Sequence, residues 1–109
     1  MVRKKIYTNK EIKKIVSEYK KLLKKEGVEF NKIYLFGSYA KSHPRDWSDI
    51  DVAVVSKKFG KDFLKEQLLL DRIADKVDYA IEPHPFCPRD IKDKWSILAL
   101  EIKRHGIIL

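Results

Sequence analysis

Gly37-Ser38 is followed after ten residues by Asp49-Ile50-Asp51, which puts a turn open enough for phosphate close to two carboxylates. Ile33-Tyr34-Leu35-Phe36 leads into the first half and Val52-Ala53-Val54-Val55 leaves the second, so an apolar strand positions each. Side chains alternate along a strand, which sends Asp49 and Asp51 to one face and Ile50, Val52 and Val54 to the other. At roughly 5 Å and an effective dielectric of about 20, two such charges repel by on the order of 3 kcal/mol. A divalent cation offsets this directly. Mg²⁺ prefers oxygen ligands and is commonly held by one or two carboxylates, with substrate phosphates completing its shell. Gly37 lets the backbone approach a phosphate with no Cβ in the way, a helix beginning near Ser38 would aim unpaired N–H groups at it, and the serine hydroxyl can donate one more bond. Either half alone has an ordinary explanation, a strand exit or a turn cap. Together they point to metal-dependent chemistry on nucleotides, because paired carboxylates at the start of a buried strand are a poor structural choice.

Two-metal phosphoryl chemistry needs further negative charge, and Asp78 is the expected third carboxylate. It sits in Lys76-Val77-Asp78-Tyr79-Ala80-Ile81, which reads as a short strand with Asp78 opposite Val77, Tyr79 and Ile81. Asp75, near the end of the preceding helix, is the weaker rival.

With these parts in this order, the chain resembles the minimal nucleotidyltransferases of the DNA polymerase beta superfamily over nearly its whole length. The family's apolar strand, Gly-Ser, spacer and Asp-x-Asp match Leu35-Phe36-Gly37-Ser38 through Asp49-Ile50-Asp51, and its downstream aspartate is matched to Asp78. One departure stands out. Family members often continue Gly-Ser-x-Ala-Arg-Gly, whereas here the run is Gly37-Ser38-Tyr39-Ala40-Lys41-Ser42, so Lys41 keeps the charge and Ser42 lacks the glycine's freedom.

The resemblance implies a nucleotidyltransferase palm in which Asp49, Asp51 and Asp78 hold Mg²⁺, as two ions, and Gly37 and Ser38 hold the distal phosphates of ATP. It also implies a partner. Similar stand-alone proteins act as antitoxins of HEPN-domain ribonuclease toxins and transfer AMP to a tyrosine hydroxyl of the toxin. Two other functions stay open: an antitoxin that neutralises its partner by covering it, and an enzyme adding nucleotides to an RNA 3′ end. Lys41 and Arg45 either reach triphosphate oxygens or face solvent. His43 and Trp47 could flank a base, although a loop histidine and a packing tryptophan are the plainer readings.

The elements that must position these residues form one domain over residues 1–109, a length that buries a real but modest core. Thr8-Asn9-Lys10-Glu11 is a capping box, and Ile12, Ile15, Val16, Tyr19, Leu22 and Leu23 keep helical spacing up to Gly27. Strands are expected at 32–36 and 50–55. A helix over Asp62–Lys76 is expected with Phe63, Leu64, Leu68, Ile73 and Ala74 inward. Pro83, Pro85 and Pro88 should break the chain before a last helix from about Arg89 to Arg104, with Trp95 in the core, and an apolar tail. This order predicts an α+β or α/β sandwich, a small mixed sheet packed by helices.

No apolar run approaches 18 residues and no apolar segment follows Arg3-Lys4-Lys5, so a cytoplasmic protein is expected rather than a secreted or membrane-spanning one. A lone Cys87 excludes an internal disulfide and a cysteine-based zinc site. Net charge is +8, and residues 1–30 carry ten Lys or Arg against four Glu. That lysine-rich helix is a solvated face or a nucleic-acid contact through Lys13, Lys14, Lys20 and Lys21.

Overall fold

The computed structural model describes residues 3–109. The first helix, α1 (Asn9–Lys25), opens at the expected capping box: the Glu11 N–H donates to Thr8 Oγ1, and the Thr8 N–H to the Glu11 carboxylate. Past its end Gly27 takes a φ of +82°, where a side chain would be strained. Ile12, Val16, Tyr19 and Leu23 form its buried stripe, with Ile15 and Leu22 partly covered.

β1 (Lys32–Phe36) runs into the single turn of α2 (Gly37–Ala40), and a loop returns the chain as β2 (Ile50–Val55), antiparallel to β1 with Phe36 opposite Asp51. α3 (Phe63–Asp75) then crosses over to β3 (Ile81–Phe86), which lies parallel to β2. After α4 (Pro88–Ile91) and α5 (Ile97–His105), β4 (Ile107–Ile108) adds to the free edge of β1. The result is a four-stranded mixed sheet in the order β3-β2-β1-β4.

Strand alternation divides the core in two. Ile33, Leu35, Ile50, Val52 and Val54 pack with α1 and α3 on one face, while Phe36, Ala53, Val55 and Phe86 meet Ile102 of α5 on the other. The expected mixed α/β sandwich is therefore present, with helices on both faces.

Three local expectations are corrected. The third strand begins at Ile81 rather than Lys76, because residues 76–80 are taken up by a turn. Pro83 and Pro85 lie within that strand instead of breaking it. β3 is an edge strand, its Phe86 carbonyl accepts from Ser56 of the neighbouring chain segment, and alternation then turns both prolines to the outer edge, where no N–H is needed. The last helix is split. Asp93 Oδ1 accepts from the Trp95 N–H and Ser96 Oγ accepts from the Ala99 N–H, starting α5 afresh, and Trp95 is 92% exposed rather than core.

Apolar residues of α3 are spread over several sides of the helix, so its buried side was not decided by composition. Leu70, Ile73 and Ala74 face the sheet, whereas Phe63, Leu64 and Leu68 face outward. Leu70→Ala should cost about 2–5 kcal/mol and Leu68→Ala no more than about 0.5 kcal/mol, as read by urea unfolding. Equal costs would mean that the helix presents another face.

Candidate active site

Asp51 shares a pleat with Ala53 and Val55 and therefore projects from the α5 side of the sheet. In the parallel ladder its partner on β3 is Glu82, and His84 stands opposite Ala53. One sheet face thus carries Asp51, Glu82 and His84, with Asp49 just before β2. The charges sense one another. Partial desolvation against the sheet raises the Glu82 pKa, Asp49 raises it further, His84 opposes the rise, and Asp71 and Asp51 add to it. His84 Nε2 lies 3.7 Å from Asp51 Oδ1, and its ring meets Phe36 edge-on at 5.2 Å.

Gly37 closes the other side. Its φ is +74°, and a Cβ built there would overlap Asp51 Oδ2, so the turn backbone rests directly on the carboxylate. Glycine is required at this position both for its conformation and for the close approach. Ser38 follows in α2, its carbonyl accepting from the His43 N–H at 3.0 Å. Ser42, where the family pattern has glycine, adopts a φ of +60°. The serine thus keeps a left-handed backbone at a conformational cost of about 1–2 kcal/mol.

Asp78 is placed elsewhere. Rather than lying on a strand beside Asp49 and Asp51, it occupies the turn between α3 and β3. There its carboxylate accepts from Tyr7 Oη at 2.9 and 3.0 Å and from the Ala80 N–H at 2.8 Å. An aspartate able to accept from the backbone two residues on favours such a turn over an extended strand. Its partners Tyr7 and Ala80 belong to the core on the α1–α3 face, opposite the face that carries Asp51. Asp75 is exposed near the end of α3.

Lys41 Nζ pairs with Glu101 of α5 at 2.7 Å, while Arg45 is exposed and its N–H donates to Ser48 Oγ. His43 is exposed, and Trp47 is 57% exposed rather than packed. Cys87 is free and buried.

Glu82, His84 and Arg3, whose guanidinium lies 2.9 Å from Asp49 Oδ1, are site residues that sequence reasoning passed over. For the first two a signal existed: Ile81-Glu82-Pro83-His84-Pro85-Phe86 alternates with period two, and the prolines masked it. No pattern in the chain ties Arg3 to Asp49.

The donor set suits a hard cation. Asp49, Asp51 and Glu82 offer only carboxylate oxygens. Among the described residues no three His, Cys, Asp or Glu side chains are grouped to hold an ion; an ion here would take one or two carboxylates and complete its shell with phosphate and water.

Carboxylates at the mouth of a parallel strand pair, with a glycine turn seated on one of them, are equipment for moving a nucleotidyl group. Residues 10–109 match the family described as Polymerase beta, Nucleotidyltransferase, and the chain belongs to it. The Methanocaldococcus jannaschii protein named "Putative protein adenylyltransferase MJ0128" is 35% identical over 92 residues, 79% of this chain and 93% of that protein. Among solved structures, a variant of the toxin-antitoxin MntA-HpeT is 24% identical, covers 86% of this chain and 70% of its own, and superposes with a TM-score of 0.58. The tri-AMPylated Shewanella oneidensis HEPN toxin in complex with MNT antitoxin is matched at 21% identity, 89% and 70% coverage and a TM-score of 0.52. These two likenesses establish the fold.

The raised Glu82 pKa gives a signed expectation. A carboxyl that titrates higher in the folded state contributes stability in full below its ordinary value of 4.5, and the contribution is lost as pH rises through the folded value. Glu82→Gln should therefore raise Tm at pH 7 and leave it unchanged at about pH 3.5. An equal change in Tm relative to wild type at both pH values would show that neither burial nor the neighbouring carboxylates raise the Glu82 pKa.

Proposed function

We propose that this protein is a metal-dependent nucleotidyltransferase antitoxin that moves AMP from ATP to a hydroxyl, on a tyrosine, of a HEPN-domain toxin. The observation that carries the reading is the pairing of Asp51 with Glu82 across β2 and β3, with Asp49 one residue before β2 and the Gly37 turn seated on Asp51. Support for the acceptor comes from the adenylyltransferase relative and from the AMPylated HEPN toxin held by its MNT antitoxin.

Asp49, Asp51 and Glu82 would hold Mg²⁺, and Gly37 and Ser38 the distal phosphates. Bound there, Mg²⁺ neutralises charge on the triphosphate and lowers the pKa of the acceptor hydroxyl. Asp49 is half exposed, so the acceptor reaches it from solvent. The tyrosine oxygen bonds to the α-phosphorus as the bond to the bridging oxygen breaks, pyrophosphate leaves, and the proton passes to water at the open side of the site. Lys41 and Arg45 supply positive charge for the departing phosphates, Lys41 after release from Glu101. Asp78 serves the fold, not the metal. Phe63, Leu64, Trp95 and Ile97, all exposed, leave apolar area for a protein partner to cover.

The absence among the described residues of any helix long and apolar enough to cross a membrane agrees with a cytoplasmic enzyme. The lysine-rich side of α1 borders a groove of about 380 Å³ lined by Lys13, Lys20, Lys21 and Lys24. RNA tailing draws only on this feature, and it lies on a helix that packs against the sheet face opposite Asp51.

Incubation of the protein with ATP, Mg²⁺ and its co-expressed HEPN partner should add one or more AMP masses to the partner in intact mass spectrometry. Asp49→Asn with Asp51→Asn should reduce the rate at least about a hundredfold without preventing complex formation. A tight complex that gains no mass and still neutralises the toxin would establish steric neutralisation instead.

A further inference from the structure

Residues 3–7 lie across the loop that carries Asp49. Arg3 Nη2 is 2.9 Å from Asp49 Oδ1 and also donates to the Trp47 carbonyl. The Trp47 N–H in turn donates to the Lys5 carbonyl at 2.8 Å, and Lys5 Nζ faces Asp46 at 3.2 Å. Both backbone groups of Trp47 are thus held by the arm, at a residue whose φ of +64° is left-handed and needs such restraint.

The inner end of the arm is fixed as well. The Tyr7 N–H donates to Tyr39 Oη at 3.0 Å, Tyr7 Oη donates to Asp78, and the Tyr7 ring meets Tyr39 edge-on at 6.3 Å. Tyr39 belongs to α2, the turn that begins at Gly37. The arm is therefore tied to the phosphate turn at one end and to Asp49 at the other.

A guanidinium has donors and no acceptor. On Asp49 it takes up oxygen lone pairs that a cation would use, and it places a fixed positive charge among carboxylates that otherwise repel. We propose that Arg3 is the resident counter-ion of Asp49, a positioning residue that holds this carboxylate before metal arrives and must leave it when metal binds. Arg3 thereby sets the cation concentration at which the site fills. The proposal rests on the reading of Asp49 as a metal-holding carboxylate.

The test is a Mn²⁺ titration without nucleotide, with free ion counted by electron paramagnetic resonance. Wild type, Arg3→Ala, Arg3→Gln, Lys5→Ala and Asp49→Asn are compared, and each fold is checked by its melting curve. Arg3→Gln keeps a donor for the Trp47 carbonyl and guards against loss of the arm's structure. Both Arg3 variants should bind Mn²⁺ about two- to fivefold more tightly than wild type, the range expected of a partly exposed ion pair. Lys5→Ala removes the same charge from the same arm without touching Asp49 and should change binding less. Unchanged or weaker binding in the Arg3 variants, or an equal gain in Lys5→Ala, overturns the role of Arg3 while leaving the metal reading intact. Binding that is missing in wild type, or that survives Asp49→Asn, overturns both.

Discussion

The site depends on the parallel register of β2 and β3. That pairing sets Glu82 opposite Asp51 and His84 opposite Ala53, so these side chains are placed by backbone hydrogen bonds. The register is guarded on both sides. Ile50, Val52 and Val54 are buried against α1 and α3, and Ala53 and Val55 against α5, so a slip by one residue would exchange the two faces and bury Asp51. At the entrance of the pair, the Ile50 N–H donates to the Ala80 carbonyl at 2.7 Å. Ala80 is itself held by the Asp78 carboxylate.

Asp78 acts on the site from behind the sheet. As a buried acceptor for Tyr7 and Ala80 it joins the N-terminal arm to the start of β3. Through Tyr7 and Tyr39 the same network reaches α2 and the Gly37 turn. Removing an acceptor from such a network leaves buried donors unpaired, at about 1–3 kcal/mol each. The two groups of acidic residues thus differ in kind: Asp78 is satisfied and stabilising, whereas Asp51 and Glu82 face each other across the ladder and Asp49 is offset by the Arg3 guanidinium.

Much of this was legible in the sequence, for reasons that can be named. Thr8 and Glu11 define the start of α1 and Gly27 its end, and Gly37 was readable as the glycine of a phosphate turn though its contact with Asp51 was not. The face of Asp51 follows from strand period, whereas Asp49 falls one residue before β2. Asp78 was expected beside Asp51 and Glu82 stands there instead, because the partner of Asp51 is fixed by a non-local pairing: β3 meets β2 only after a helical crossover, and nothing in the local pattern states the register. Prolines at 83 and 85 read as breakers because an edge strand cannot be told from a central one before the sheet order is known. Trp95 and the outer leucines of α3 were taken as core because apolar character does not reveal which face of a helix meets the sheet. Arg3 was invisible for a further reason, since its contact with Asp49 joins residues 46 positions apart through a side chain.

The most direct test of the account compares Glu82→Gln with Asp78→Asn in the AMP-transfer reaction, with melting temperatures recorded for both. If Glu82 is the third carboxylate, Glu82→Gln should lose transfer by about a hundredfold or more with no loss of Tm at pH 7. Asp78→Asn should lower Tm and retain transfer below its melting transition. The reverse result, full activity in Glu82→Gln and none in a stable Asp78→Asn, would contradict the assignment built on the β2–β3 register.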